Sequence, residues 1–504
     1  MPISFVVVIY SDEYLYNFSK SECVVNPINE VIEVNNVANL YFNNLSQAII
    51  HGLQHARHEL IAVVHEDVLL IKGWQAQFEQ SLAKLEVDDA QWAMVGAVGR
   101  LPEGIVRGHW SDPYRYKNTF AEGKPYCEVD ELDEQLMIFH KSRLPDFDKN
   151  FPGIHHIGRE LALGMRNSDL KTYAIDAPTI HKYADEKGRL ILNDQASKKI
   201  VDRRSLTYLA DKACCDNYLA HKWPQFTHIY KHQDEFDIPF NDLGKLAQLD
   251  RPIILLSRGG SGSRLISNMA EDAGVFLGNE ISVSGDSMEL VLPFYRSITE
   301  KYRCSASWQK NQRVPRIRAA AAKMMQALDE NLPWGFKLPE NLLLLPELMS
   351  AFPEASYICL IRDPLSICLR RTHMTARLDN HIGRIALPEA YDYLKRDRSR
   401  ILEDSPAEHM AYTTVHQLQL LQKSECFRND DNSLILRFED IIHQPRQAMD
   451  TLCMWLGRKP EKHRVADRVS VSRALNPQEV YPDQVVSKVK DILSEVRKDL
   501  GYLE

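Results

Sequence analysis

The string that most restricts how this chain can fold is ILLSRGGSGSRLIS, residues 254–267, where an unbroken apolar run meets glycines, serines and arginines and then a helix-forming stretch. A strand with no polar alternation is buried on both faces, which is the habit of parallel sheets covered by helices. A turn of this composition before a helix is also an anion cradle, because backbone N–H groups of the turn and of the helix N-terminus point the same way. Gly259, Gly260 and Gly262 permit close backbone approach, Ser261 and Ser263 add hydroxyl donors, and Arg258 and Arg264 supply charge. The nucleoside-triphosphate loop ends in Lys followed by Ser or Thr. Here Arg264 follows Ser263 and the loop holds no lysine, which weakens a kinase reading and leaves a P-loop kinase with an appended domain as an alternative.

The loop is not at the start of the chain, so something else precedes it. With 504 residues the chain exceeds one ordinary core, and at roughly 150 residues per domain it predicts two large domains. Over the first 190 residues short apolar strands (ISFVVVIY, VIEVNN, ELIAVVHEDVLLI) alternate with helical stretches such as LSQAIIHGLQHARH, the pattern of an α/β domain with a mainly parallel sheet. A polar, aromatic connecting segment follows over 198–250, and a second strand–loop–helix restarts at Arg251. The expected division is therefore 1–197, 198–250 and 251–504. A net charge of −8 argues against a nucleic-acid partner, which requires a basic face. No stretch reaches the roughly 18 apolar residues of a membrane span, and nine scattered cysteines read as reduced thiols. These features predict a cytoplasmic protein without a transmembrane segment, with peripheral contact at the inner face of the membrane left open.

From Arg251 onward the chain resembles the sulfotransferases that use 3′-phosphoadenosine 5′-phosphosulfate, notably bacterial ones with an Arg-Gly-Gly-Ser-Gly-Thr-Arg loop. Three further strings occur in the family's order: WGFKLPENLLLLPELMSAFP, YICLIRDPLSICLRR and LILRFEDIIHQPRQAMDTLCMWLG. The resemblance implies a P-loop-like α/β domain with a parallel sheet. It implies that the loop 258–264 holds the 5′-phosphosulfate, that Lys337 is brought to the site, and that Arg362 binds the 3′-phosphate. The family's serine eight positions after that arginine is replaced by Arg370, with Ser366 four positions earlier. A donor with phosphates at both ends of an adenosine needs two anion sites, and both strand–helix starts are present. The acceptor hydroxyl needs a base, for which Asp286 and Glu280 lead and His373 follows.

In the first half, ELIAVVHEDV ends an apolar strand in His65-Glu66-Asp67, at the sheet edge where ligands of open α/β folds bind. This half resembles inverting glycosyltransferases of the GT-A fold over roughly residues 3–185. The resemblance rests on that string, on CEVDELDEQLMIFHKSRL with Glu131 and Asp133, and on FPGIHHIGRELALGMRNSDLKTYAIDAPTIHK. It implies Asp67, His65 and His181 as ligands of Mn2+ or Mg2+, Glu160 and Asp133 as candidate bases, and His155 and His156 beside the acceptor. His65 stands where the common Asp-x-Asp motif has its first aspartate. Together the two resemblances imply a bifunctional enzyme of bacterial surface polysaccharide synthesis. It would transfer a sugar from a nucleotide sugar, and a sulfuryl group, to a saccharide or lipid-linked glycan. The alternatives are a sulfotransferase whose first domain is an inactive glycan-binding unit, the kinase, and a noncatalytic scaffold.

Overall fold

The computed structural model describes residues 1–101, 104–112, 115–120, 124–182, 203–226, 236, 238–303, 307–326, 328, 332–370, 372–428, 430–459 and 481–503. The chain forms two compact units, one of Met1–Asp202, Asp211–Gln233 and Arg303–Ser305, the other of Arg203–Ala210, Asp234–Tyr302 and Ala306–Glu504. The boundary expected at 197/198 lies outside the described residues.

In the first unit a seven-stranded sheet runs Glu30–Asn35, Ile3–Ile9, Leu60–His65, Leu136–His140, Met94–Gly96, Thr172–Ile175, Tyr126–Glu128. The first three strands are parallel, but Leu136–His140 runs antiparallel to both of its neighbours, so the sheet is mixed where the sequence suggested a mainly parallel one. The cause lies in the strands between residues 94 and 140. They pair as antiparallel ladders, 98–100 with 106–108 and 109–112 with 115–118, and return the chain into the sheet in the opposite sense. Ile3, Phe5 and Val7 pack into a core with Trp74, Phe78, Leu82 and Trp92, and Trp74 stacks on Phe78 with centroids 5.2 Å apart. At the carboxyl edge Glu66 ties two strand ends together, accepting from the backbone N–H of Tyr10 (2.8 Å) and Ser11 (3.0 Å).

The second unit carries a four-stranded parallel sheet in the order Gly335–Lys337, Ile253–Ser257, Ser356–Ile361, Ser433–Arg437. Its apolar runs are unbroken because both faces are covered. Ile254 and Leu256 enter one core with Phe294, Trp334 and Phe336, while Ile253 and Leu255 enter the other with Ile266, Met269 and Ile441. Parallel strands deliver their carboxyl ends to one edge. That edge receives Lys337, the loop that begins at Arg258, Arg362 and Phe438 side by side.

Candidate functional site

The loop after Ile253–Ser257 turns through Gly260 (φ +94°) and Gly262 (φ +93°) into the helix Ser263–Asp272. Positive φ at both positions is the conformation that glycine adopts without a Cβ penalty. The second glycine is also required by space, since a Cβ at 262 would lie 2.4 Å from Cε2 of Phe438. Among the described residues no side chain caps this helix, and the buried hydroxyl of Ser261 has no hydrogen-bond partner. A cradle with a helix N-terminus and an orphaned buried hydroxyl fits an oxyanion.

Phe438 joins this cradle to the second predicted anion site. Its ring packs against Gly262 and carries the Arg362 guanidinium 4.1 Å from the ring centre. Arg362 is buried, and desolvation with the nearby charge of Arg370 lowers its pKa to about 10. Two guanidiniums that repel one another are what a phosphate would reconcile. The short helix Pro364–Cys368 is capped by Asp363, whose carboxylate accepts from the N–H of Leu365 at 3.2 Å. Ser366 donates to the same carboxylate at 3.3 Å, and Arg497 holds it at 2.9 Å.

Lys337 and Asp286, both predicted, meet in a buried ion pair at 2.5 Å. Lys337 also donates to the carbonyl of Ser284 at 3.0 Å, and the hydroxyl of Ser284 donates to Asp286 at 2.6 Å. The pair lies beside the cradle helix, since Gly285 abuts Ser267 and its carbonyl accepts from the Ser267 hydroxyl at 2.9 Å. Glu280 is not with them. It is exposed at the far end of the loop, and its backbone N–H donates to Glu289 at 3.1 Å. Arg258 also departs from expectation. Its side chain turns inward and is fully buried, donating to Thr375 (2.8 Å), Thr413 (2.8 Å) and Thr414 (3.2 Å), so its guanidinium braces the loop from behind while Arg264 is the exposed cation in front.

Residues 261–461 match the family described as "Sulfotransferase family". This region is a sulfotransferase-family domain. Solved structures similar to the chain include a sulfotransferase domain from the curacin biosynthetic pathway, at 14% identity over 49% of this chain and 97% of that one, with a TM-score of 0.28. Sulfotransferase STF1 from Mycobacterium tuberculosis matches at 11% identity over 58% and 85%, with a TM-score of 0.34. No curated protein matches the chain. The matched region begins inside the glycine loop and spans Lys337, Arg362 and Phe438. Among the described residues no helix is long and apolar enough to cross a membrane.

Outside the sulfotransferase domain, the three predicted metal ligands come together. His65 ends its strand, Asp67 follows the turn, and His181 pairs opposite Val68, so the ligand atoms of His65, Asp67 and His181 lie within 4.8 Å of one another. Asp67 Oδ2 is 3.2 Å from His181 Nε2. The two imidazoles and the hydrogen bond outweigh desolvation and hold the Asp67 carboxyl far below its usual range. Two imidazoles and a carboxylate on one small locus form a donor set that fits a divalent ion such as Mn2+ better than Mg2+, which prefers oxygen ligands. Asp133 stands at the edge of this cluster, its carboxyl pushed up by desolvation and by Glu134.

Glu160 does not reach the cluster. It is buried on the helix Ile157–Asn167 and bonded at 2.6 Å to Lys222, which also holds Asp148 at 2.8 Å. The residue that sequence reasoning missed is Glu134, next to Asp133. Its side chain faces His155 at 3.7 Å, and the histidines around it overcome burial to keep it ionised. His155 also approaches Asp211 at 3.9 Å, whereas His156, at φ +65°, lies 3.6 Å from Asp216. The spelling Asp-Glu at 133–134 was the available signal.

Proposed function

We propose that the sulfotransferase-family domain transfers a sulfuryl group from 3′-phosphoadenosine 5′-phosphosulfate to a hydroxyl of a saccharide acceptor. The observation that carries this reading is the single ring of Phe438, which packs against the glycine cradle and carries the Arg362 guanidinium 4.1 Å from its centre. A donor with anionic groups at two ends is the ligand such an arrangement suits. The acceptor oxygen attacks sulfur, the bond from sulfur to the bridging phosphate oxygen breaks, and the adenosine bisphosphate leaves with those electrons. Lys337 and the cradle N–H groups hold the charge that develops there, and Asp286 takes the acceptor's proton. Arg362 and Arg370 bind the 3′-phosphate, and Ser261 donates to the transferred end.

The His65–Asp67–His181 cluster supports a second activity in the first unit, transfer of a sugar from a nucleotide sugar. A divalent ion bound there would neutralise the departing nucleotide diphosphate. Asp133 or Glu134 would deprotonate the acceptor hydroxyl. Linking both steps in one chain, in the synthesis of a surface polysaccharide, raises the effective concentration of the shared intermediate.

Thermal denaturation separates these readings, because a ligand that binds only the folded state raises its apparent stability. The bisphosphate 3′-phosphoadenosine 5′-phosphate should stabilise the wild type and not Arg362→Ala. UDP with Mn2+ should stabilise the wild type and not Asp67→Ala. Stabilisation by ATP with none by the bisphosphate would overturn the sulfuryl-transfer reading in favour of the kinase.

A further inference from the structure

Arg362 and the Phe438 ring that carries it stand just past the ends of two neighbouring parallel strands, where Ile361 pairs opposite Arg437. A long side chain at a strand end is aimed only as well as the backbone on either side of it is held. Here both flanks of both residues are held by one element, the helix Asp483–Asp499 with the turn that follows it.

On the Arg362 side, Ile361 is buried in a core with Val489, Leu493, Val496 and Leu500. Asp363 is held from two directions. Its carboxylate accepts from Nε of Arg497 at 2.9 Å, and its backbone N–H donates to Oε1 of Glu439 at 3.0 Å. On the Phe438 side, Arg437 donates to the carbonyl of Leu500 at 2.7 Å, and its guanidinium lies 4.9 Å from the centre of the Tyr502 ring. Glu439, the next residue after Phe438, accepts from the Tyr502 hydroxyl at 2.9 Å through its other oxygen. Burial and the Glu439 charge raise the pKa of Tyr502, so the phenol keeps the proton that this bond needs.

Charge gives the same contacts a second consequence. After desolvation and Arg370, the groups that act most on the charge of Arg362 are Glu439 and Asp363. A carboxylate that paired with this guanidinium would compete with a phosphate for it. Tyr502 and Arg497 give each of those carboxylates another partner.

We infer that Arg497 and Tyr502 are positioning residues of the donor site, holding residues 361–363 and 437–439 so that the Arg362 guanidinium stays on the Phe438 ring where it meets the 3′-phosphate. The inference rests on the sulfuryl-transfer reading and extends its 3′-phosphate site to a helix beyond the family-matched residues 261–461.

Affinity of the full chain for 3′-phosphoadenosine 5′-phosphate, measured by calorimetry with urea unfolding of each variant alongside, tests this. Tyr502→Phe removes only the hydroxyl, and Arg497→Met removes the charge while keeping an unbranched side chain. Each should weaken binding about fivefold or more, and Arg497→Lys, which keeps the charge, should stay within about twofold of wild type. Val489→Ala, on the same helix but inside the core, should lower the urea midpoint and leave affinity within about twofold. The Arg362→Ala background separates positioning from stability. If Arg497 and Tyr502 act through Arg362, adding Arg497→Met or Tyr502→Phe to Arg362→Ala costs no further affinity, and the effects are non-additive. Wild-type affinity in Tyr502→Phe or in Arg497→Met, an equal loss in Val489→Ala, or the same fold loss with and without Arg362 would overturn the inference. Absence of binding by the wild type would overturn the sulfuryl-transfer reading itself, and the inference with it.

Discussion

Replacing Gly262 by alanine tests the part of the site on which the functional reading depends. At φ +93° a side chain costs about 1–2 kcal/mol from Cβ sterics alone. The new methyl would also stand 2.4 Å from Cε2 and 2.7 Å from Cδ2 of Phe438, both in a rigid ring, and overpacking of this kind costs about 1–3 kcal/mol. The sum, about 2–5 kcal/mol of folding stability, would register as a lower urea midpoint. Arg362 stands 4.1 Å from the centre of the same ring, so a shift of the ring that relieves the clash disturbs the guanidinium with it. Affinity for 3′-phosphoadenosine 5′-phosphate, measured by calorimetry, should fall by about tenfold or more. In the double variant Gly262→Ala/Phe438→Leu the clash is gone and part of the stability returns, so the two changes are non-additive. If Gly262→Ala binds the bisphosphate as tightly as wild type, the reasoning that one ring couples cradle and arginines is wrong.

Breaking the buried Lys337–Asp286 pair from one side, by Lys337→Met or Asp286→Asn, should cost about 3–5 kcal/mol in urea unfolding, whereas Lys337→Met/Asp286→Leu should regain stability without regaining transfer of labelled sulfate. Conversion of Asp67 to Asn should abolish stabilisation by UDP with Mn2+ in thermal melts and leave stabilisation by the bisphosphate unchanged. The Glu30 carboxyl is held down at about 2, since hydrogen bonds from Ser4 (2.5 Å) and from the backbone (2.6 Å) and side chain (2.6 Å) of Arg57 overcome desolvation. A depressed pKa stabilises the fold above the ordinary value of 4.5 and loses that contribution as pH falls toward 2. Glu30→Gln should therefore be about 1–2 kcal/mol less stable than wild type at pH 7, with the gap closing below pH 4.5 in pH-dependent urea titrations.

What could be read from the sequence is what short-range chemistry writes there. Both parallel-strand runs at 253–257 and 356–361 are legible because burial on two faces removes the polar alternation, and the loop between strand and helix is legible because only glycine accepts φ near +93° against a phenyl ring. The proximity of His65, Asp67 and His181 was legible for a similar reason. His65 and Asp67 flank a strand end, and the short strand Thr179–His181 pairs in a register that sets His181 opposite Val68. The direction in which a long side chain points, by contrast, is decided by partners distant in sequence. Arg258 sits in the right loop, yet Thr375, Thr413 and Thr414 draw its guanidinium away from the ligand side, and nothing near residue 258 announces them. Glu160 was misplaced in the same way by Lys222, 62 positions later. At Pro364–Cys368 the strand–helix start expected at this edge is present, with Asp363 capping the N–H of Leu365. An aspartate immediately before proline at a strand–helix junction is itself a capping signal. With the N–H of Leu365 taken by that cap, Arg362 and Arg370 supply the charge at this candidate anion site, and the loss of either arginine should lower affinity for 3′-phosphoadenosine 5′-phosphate in calorimetry.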